Sequence, residues 1–242
     1  MNSISTLTYA GLAGILPALA WLWFWLREDK LHPEPRGRIA LCFIAGMLAV
    51  LIVIGPERFV AHYLGFNGDF YSFFQSDSAL IKIKLFFSWS AIEELAKYVM
   101  VLLVALQSRD FDEPVDALMY TITVALGFSA LENAAFVLPH FLSHDIAQGF
   151  IVGNLRFLGA SLLHVVSSAA IGFAIAHSFY MSFWKKIFWN IGGVVTAIIL
   201  HTTFNFFIID SNGSKTFLIF GILWTGTIIL LLLFEKLKKL NA

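Results

Sequence analysis

Residues 89–100 read WSAIEELAKYVM, and they set two carboxylates and an ammonium group, Glu93, Glu94 and Lys97, inside an apolar run long enough to cross a bilayer. A membrane helix hydrogen-bonds its own backbone, so its side chains decide what it can face. An ionisable group at the centre of such a helix costs about 2.5–3.5 kcal/mol on insertion scales unless a partner or water relieves it. Three in two turns predict a helix that turns this face to a protein interior or a wet cavity, away from lipid. Successive helical residues step by about 100°, which places Lys97 angularly between Glu93 and Glu94, one turn on.

The rest of the chain supplies that interior. Of 242 residues, 59% are hydrophobic and 13% charged, and the mean hydropathy is +0.80; soluble domains run nearer half and a quarter. The apolar residues fall into seven blocks, about 8–26, 39–55, 85–106, 116–138, 157–180, 187–209 and 216–234, each of membrane-spanning order. The expected fold is all-α, a polytopic bundle of about seven transmembrane helices, forming one membrane domain over 1–242. Residues 57–84 form the longest connection, with an aromatic, Gly, Asn and Asp mixture that suits an interfacial or re-entrant segment; an eighth crossing there stays open. Sixteen basic residues balance sixteen acidic ones, which argues against a nucleic-acid partner. The first residues lack a basic n-region, so no cleaved signal peptide is expected. Cys42, the one cysteine, lies in an apolar block and reads as a small buried residue. With the N-terminus outside, ten Lys and Arg fall in inner segments and five in outer ones, Arg156 among the five. The positive-inside rule therefore predicts N-out, C-in.

Other polar groups interrupt the apolar blocks at matching depth. The fourth block holds GFSALENAAFV (127–137) with Glu132 and Asn133, the fifth SLLHVVSSAAIG (161–172) with His164, and the sixth ILHTTFNFF (199–207) with His201 and Asn205. At about 1.5 Å per residue, Glu93 lies about 12 Å from the outer end of its block, Glu132 about 9 Å, His164 about 10 Å and His201 about 12 Å. Neighbouring helices run in opposite directions, so this agreement is not forced by sequence position. The four predict one shared polar site. His32, His62, His140, His144 and His177 fall in loops or near a boundary and read as ordinary surface histidines.

EELAK, FSALEN and HTTFN, in this order on successive helices, resemble the E-E-x-x-K, F-x-x-x-E-N and H-x-x-x-N motifs of the PrsW family of intramembrane proteases, which is distantly similar to CAAX-processing endopeptidases and bacteriocin-processing enzymes. Two further stretches match, DKLHPEPRGR (29–38) and DEPVDALMY (112–120). One departure is visible: HVVSS carries Ser168 where the family often has glycine. The resemblance implies hydrolysis of a peptide bond in or beside a single-span membrane protein within the lipid bilayer of the cell membrane. It also implies a role in the first, extracytoplasmic cut of an anti-sigma factor during envelope-stress signalling.

Peptide hydrolysis needs an activated water, an oxyanion stabiliser and a proton donor. Glu93 or Glu94 is the candidate base, with Lys97 offsetting the repulsion of the pair. His201 and Asn205, one turn apart on one face, suit an oxyanion. Glu132, supported by Asn133, and His164 could orient the water or supply the proton. In a second scheme Glu132, His164 and His201 hold zinc and leave one position open. Both schemes use the same residues. A different class, a proton- or ion-coupled transporter, also uses buried Glu, His and Lys, though it would more naturally show inverted repeats or polar groups through both leaflets.

Overall fold

A computed structural model describes residues 3–29, 33–66, 78–210 and 214–238, and every regular element among them is helical. The helices are α1 (Ser3–Glu28), α2 (Arg36–Tyr63), α3 (Ala79–Val101), α4 (Pro114–Leu142), α5 (Ile146–Leu158), α6 (Ala160–His177), α7 (Phe183–Asp210) and α8 (Thr216–Lys238). Six stretches are long and apolar enough to cross a membrane: α1, α2, α4, α5 with α6, α7 and α8. Helix α3 is the seventh long helix, and it carries Glu93, Glu94 and Lys97. Six of the seven apolar blocks thus fall in stretches that can span a membrane, and the block 85–106 falls in α3 and the turn after it.

Helix α4 is the axis. Pro114 opens it, a position where the missing N–H costs nothing. Glu113 and Asp116 form a reciprocal capping box there. Every residue from 114 to 130 is buried, which is why this segment shows no amphipathic period. Around it pack α1, α2 and α6. Lipid offers no hydrophobic drive between helices, so close backbone approach has to supply the contact. Gly46 of α2 and Gly127 of α4 permit it: a Cβ on Gly46 would sit 2.0 Å from the Val124 carbonyl, and one on Gly127 would sit 1.9 Å from that of Phe43.

The helix ends differ from the block boundaries. Helix α2 runs past Pro56 to Tyr63, although Pro ordinarily reads as a helix stop. In membrane helices the freed backbone groups find other partners. The connection thus narrows at both ends, since α3 starts at Ala79 after an N-cap by Ser78; the interfacial or re-entrant expectation falls on 67–77, outside the described residues. Residues 146–156 are helical as well, with Asp145 capping α5 through the Gln148 N–H at 3.1 Å. His140 thereby becomes part of α4 and not of a loop. Of the tryptophans near the first boundary, Trp25 is fully buried against Phe234, whereas Trp23 faces out.

Beyond Val101, α3 continues as a π-helical turn, Leu102–Leu106. Arg38 explains the local widening: its guanidinium donates to the Val104 carbonyl and, at 2.7 Å, to Asp110. Pairing α3's end with α2's start in this way fixes the rotation of α3, and with it the direction of Glu93 and Glu94.

Candidate active site

Four helices converge on α3's charged face. Glu94 is wholly buried and accepts four hydrogen bonds. Lys97 Nζ, His201 Nδ1 and Ser167 Oγ reach Oε1 at 2.6, 2.8 and 3.0 Å, and Ser168 Oγ reaches Oε2 at 2.8 Å. Ser168, the departure from the family's usual small residue, is thus a donor to this carboxylate. Lys97 does not divide itself between the two glutamates as the helical step suggested. It pairs with Glu94, approaches His164 Nδ1 at 3.0 Å and lies over the Phe128 ring.

Glu93 is the contrast. It is also buried, yet its Oε2 has no hydrogen-bond donor. His164 Nδ1 lies 3.9 Å from that oxygen and His201 Nε2 lies 3.8 Å from it. The partners assign both tautomers. His201 gives its Nδ1 proton to Glu94, leaving a lone pair on Nε2. His164 gives its Nε2 proton to Glu132 Oε2 at 2.9 Å, leaving a lone pair on Nδ1. The His201 lone pair faces Glu93, whereas the one on His164 Nδ1, 3.9 Å from Glu93, takes the Lys97 ammonium at 3.0 Å.

Glu93, His164 and His201 form the donor set whose ligand atoms all lie within 4.8 Å of one another. The expected set named Glu132 in place of Glu93 beside the same two histidines. Glu132 stands behind His164, held by the Arg156 guanidinium, so its oxygen points at the far nitrogen of the ring. Asn133 supports the same corner: its amide nitrogen donates to Ser129 and Ser161, and its oxygen takes the Arg156 Nε–H at 2.6 Å. Asn205 lies one turn beyond His201 on α7 and is half-buried.

Two contributors were not singled out from the sequence. Arg156 was counted only as an outer-segment charge. Glu57, half-buried on the part of α2 beyond Pro56, lies near enough to interact with the Glu93 carboxyl, while its backbone carbonyl accepts from Trp89 Nε1 at 3.0 Å. Both sit next to buried partners of opposite or like charge, a signal that only the fold exposes. His177 stays away from the cluster, stacked on Phe173.

The family described as PrsW family intramembrane metalloprotease matches residues 34–234. The chain is 27% identical to Protease PrsW of Oceanobacillus iheyensis over 231 residues, covering 95% of this chain and 94% of that one. It is 24% identical to Protease PrsW of Bacillus subtilis over 197 residues, covering 80% of each. Against Protease PrsW of Geobacillus kaustophilus it is 29% identical over 139 residues, 57% of this chain and 56% of the other. No solved structure matches.

Proposed function

The chain belongs to the PrsW family of intramembrane metalloproteases, and on that premise we propose that it cuts a single-span membrane protein at a site built on Glu93, His164 and His201. One observation carries this reading: a ring nitrogen from each of two buried histidines approaches a buried carboxylate oxygen that has no donor.

The donor set fits zinc. Three protein ligands drawn from His and Glu, with one position open, is the usual catalytic arrangement. Each histidine is also backed by a carboxylate, Glu94 behind His201 and Glu132 behind His164, as metal-binding histidines commonly are. Zinc held there would supply Lewis-acid polarisation and a nucleophile at neutral pH. The chain's own groups do the rest. Glu94 and Glu132 hold the two rings in the tautomers that present their lone pairs. Lys97 keeps the buried glutamates from an uncompensated double negative charge, and it has to release His164 Nδ1 for that nitrogen to bind. Glu57, half-buried and beside Glu93, is the side chain we assign to pass a proton to the leaving amine. Asn205 is the amide available to a developing oxyanion on the same helical face as His201. His201, with its Nδ1 proton given to Glu94, serves better as a ligand than as an oxyanion donor.

A glutamate-only scheme has one observation of its own, since Lys97 at His164 Nδ1 occupies the lone pair a metal would need. Glu93 would then act as the base on water directly. In either scheme Glu93 is the reactive carboxylate and Glu94 its anchor. The transporter reading is not favoured: between Glu132 and Asp116 the buried hydroxyls of Thr121 and Thr123 bond back to their own helix.

The positive-inside count supports N-out, C-in, and with it an extracytoplasmic site. An anti-sigma factor is the substrate class the family resemblance supports. Purified protein in liposomes with a single-span anti-sigma substrate tests the reading. Cleavage by the wild type that Glu93→Gln removes is expected, whereas proton flux without cleavage would overturn it.

A further inference from the structure

Two of the stretches quoted above take no part in the Glu93 site: DKLHPEPRGR (29–38) and DEPVDALMY (112–120). The fold brings their acidic residues together at the other end of α4, with Asp116 sixteen residues, about 24 Å, from Glu132. Glu34, Glu113 and Asp116 each offer a carboxylate oxygen, and the three lie within 4.8 Å of one another. Asp29 lies close enough to feel the charges of Asp116 and Glu113.

Two of these carboxylates have an orphaned oxygen. Asp116 is 1% exposed. Its Oδ2 takes the backbone N–H groups of Asp112 and Glu113 at 2.9 and 2.8 Å, but its Oδ1 is buried without a hydrogen-bond donor. Asp29 is 4% exposed, and its Oδ2 is in the same condition. The Glu34 carboxyl lies within hydrogen-bonding reach of Asp116, two acceptors face to face, which a proton or a cation must bridge. Tyr120 holds Glu34 in place through its hydroxyl. Among the described residues, Arg38 pairs with Asp110, and Lys238, whose charge reaches Asp29, bonds the Glu28 carbonyl and Glu235. Burial and the neighbouring carboxylates raise the Asp29 carboxyl to about 6, and burial with the contact to Asp116 raises that of Glu34 to about 9.

We propose that Glu34, Glu113 and Asp116, with the nearby Asp29 adding negative charge, bind a hard divalent cation of the magnesium and calcium class, tying the α1–α2 connection to the first turn of α4. All-carboxylate oxygen donors select such ions, in contrast to the nitrogen-containing set around Glu93. The site does not depend on the proteolytic reading, and it gives a common purpose to two acidic motifs far apart in sequence.

The test uses full-length protein carrying Glu93→Gln, so that the first donor set is disabled, stripped with chelator and titrated with Mn²⁺ by electron paramagnetic resonance. One saturable Mn²⁺ per chain is expected, displaced by Mg²⁺ or Ca²⁺, with no nitrogen coupling in pulsed spectra and a cation-dependent rise in Tm. Asp116→Asn and Glu34→Gln should each remove the saturable phase. Absence of saturable uptake at millimolar cation overturns the proposal and leaves a shared proton as the bridge. Nitrogen coupling, or uptake unchanged in both cluster variants, overturns it as well. Should the cluster variants fail to fold, the uptake and nitrogen coupling of the Glu93→Gln protein still decide.

Discussion

His201 donates its Nδ1 proton to Glu94 Oε1 across 2.8 Å, and that one bond separates the roles of two adjacent glutamates. It aims the other ring nitrogen at Glu93 and helps saturate Glu94. The two carboxylates share a helix turn and a burial depth, but only one of them has lone pairs to spare.

Opposite outcomes should therefore follow from the same substitution at neighbouring positions. Glu93→Gln removes a charge that no hydrogen bond at Oε2 uses, so folding should survive while cleavage falls by roughly 10²–10⁴, the usual contribution of a general base. Glu94→Gln leaves the buried Lys97 ammonium without its charge partner, which should cost about 3–5 kcal/mol. Thermal unfolding in detergent, run beside the cleavage assay, reads both.

Arg156 acts through Glu132 and Asn133 and touches no reacting atom in this account. Arg156→Ala should lower kcat/KM by roughly 10–100-fold, the scale for losing a group that orients a ligand. Arg156→Lys should restore part of that, since one ammonium can hold the Glu132 carboxylate but cannot also reproduce the guanidinium's Nε bond to Asn133. A variant effect confined to Tm, with kcat/KM unchanged, would make Arg156 structural only.

The α2–α4 crossing predicts a fold-level effect. Gly127→Ala puts a methyl group 1.9 Å from the Phe43 carbonyl, so the helices must part. The cost should be about 1–3 kcal/mol, seen as a lower Tm with no loss of zinc until the protein unfolds.

Sidedness can be read with single cysteines, because Cys42 is buried and should stay unlabelled. Ser143→Cys, in the exposed turn after α4, should react from outside the cell, and Tyr180→Cys, in the exposed turn after α6, only after permeabilisation. The reverse pattern would invert the orientation and move the site to the cytoplasmic side.

Sequence reasoning reached the four-helix site because polar residues in apolar helices are rare and depth can be counted along a helix. It did not reach azimuth. Depth and ligand type admit Glu132 and Glu93 alike beside the two histidines, and only the rotation of α4, which sends the Glu132 oxygen behind His164, distinguishes them. Helical stepping likewise treated Glu93 and Glu94 as equals; only donors from α6 and α7 tell them apart. Glu57 was hidden because Pro56 reads as a stop, and Arg156 because the mixed composition of 146–156 carries no apolar block. The glycine crossings that let α2 approach α4 leave no periodic trace.

The account turns on which atoms hold the metal, and metal content measured beside activity tests that most directly. Purified protein should carry about one zinc per chain, with activity lost on chelation and restored by zinc. Glu93→Gln, His164→Ala and His201→Ala should each lose the metal, whereas Glu132→Gln should keep it with affinity weakened roughly 10–100-fold. A metal-free preparation that cleaves at full rate, or zinc retained in Glu93→Gln but lost in Glu132→Gln, would contradict it.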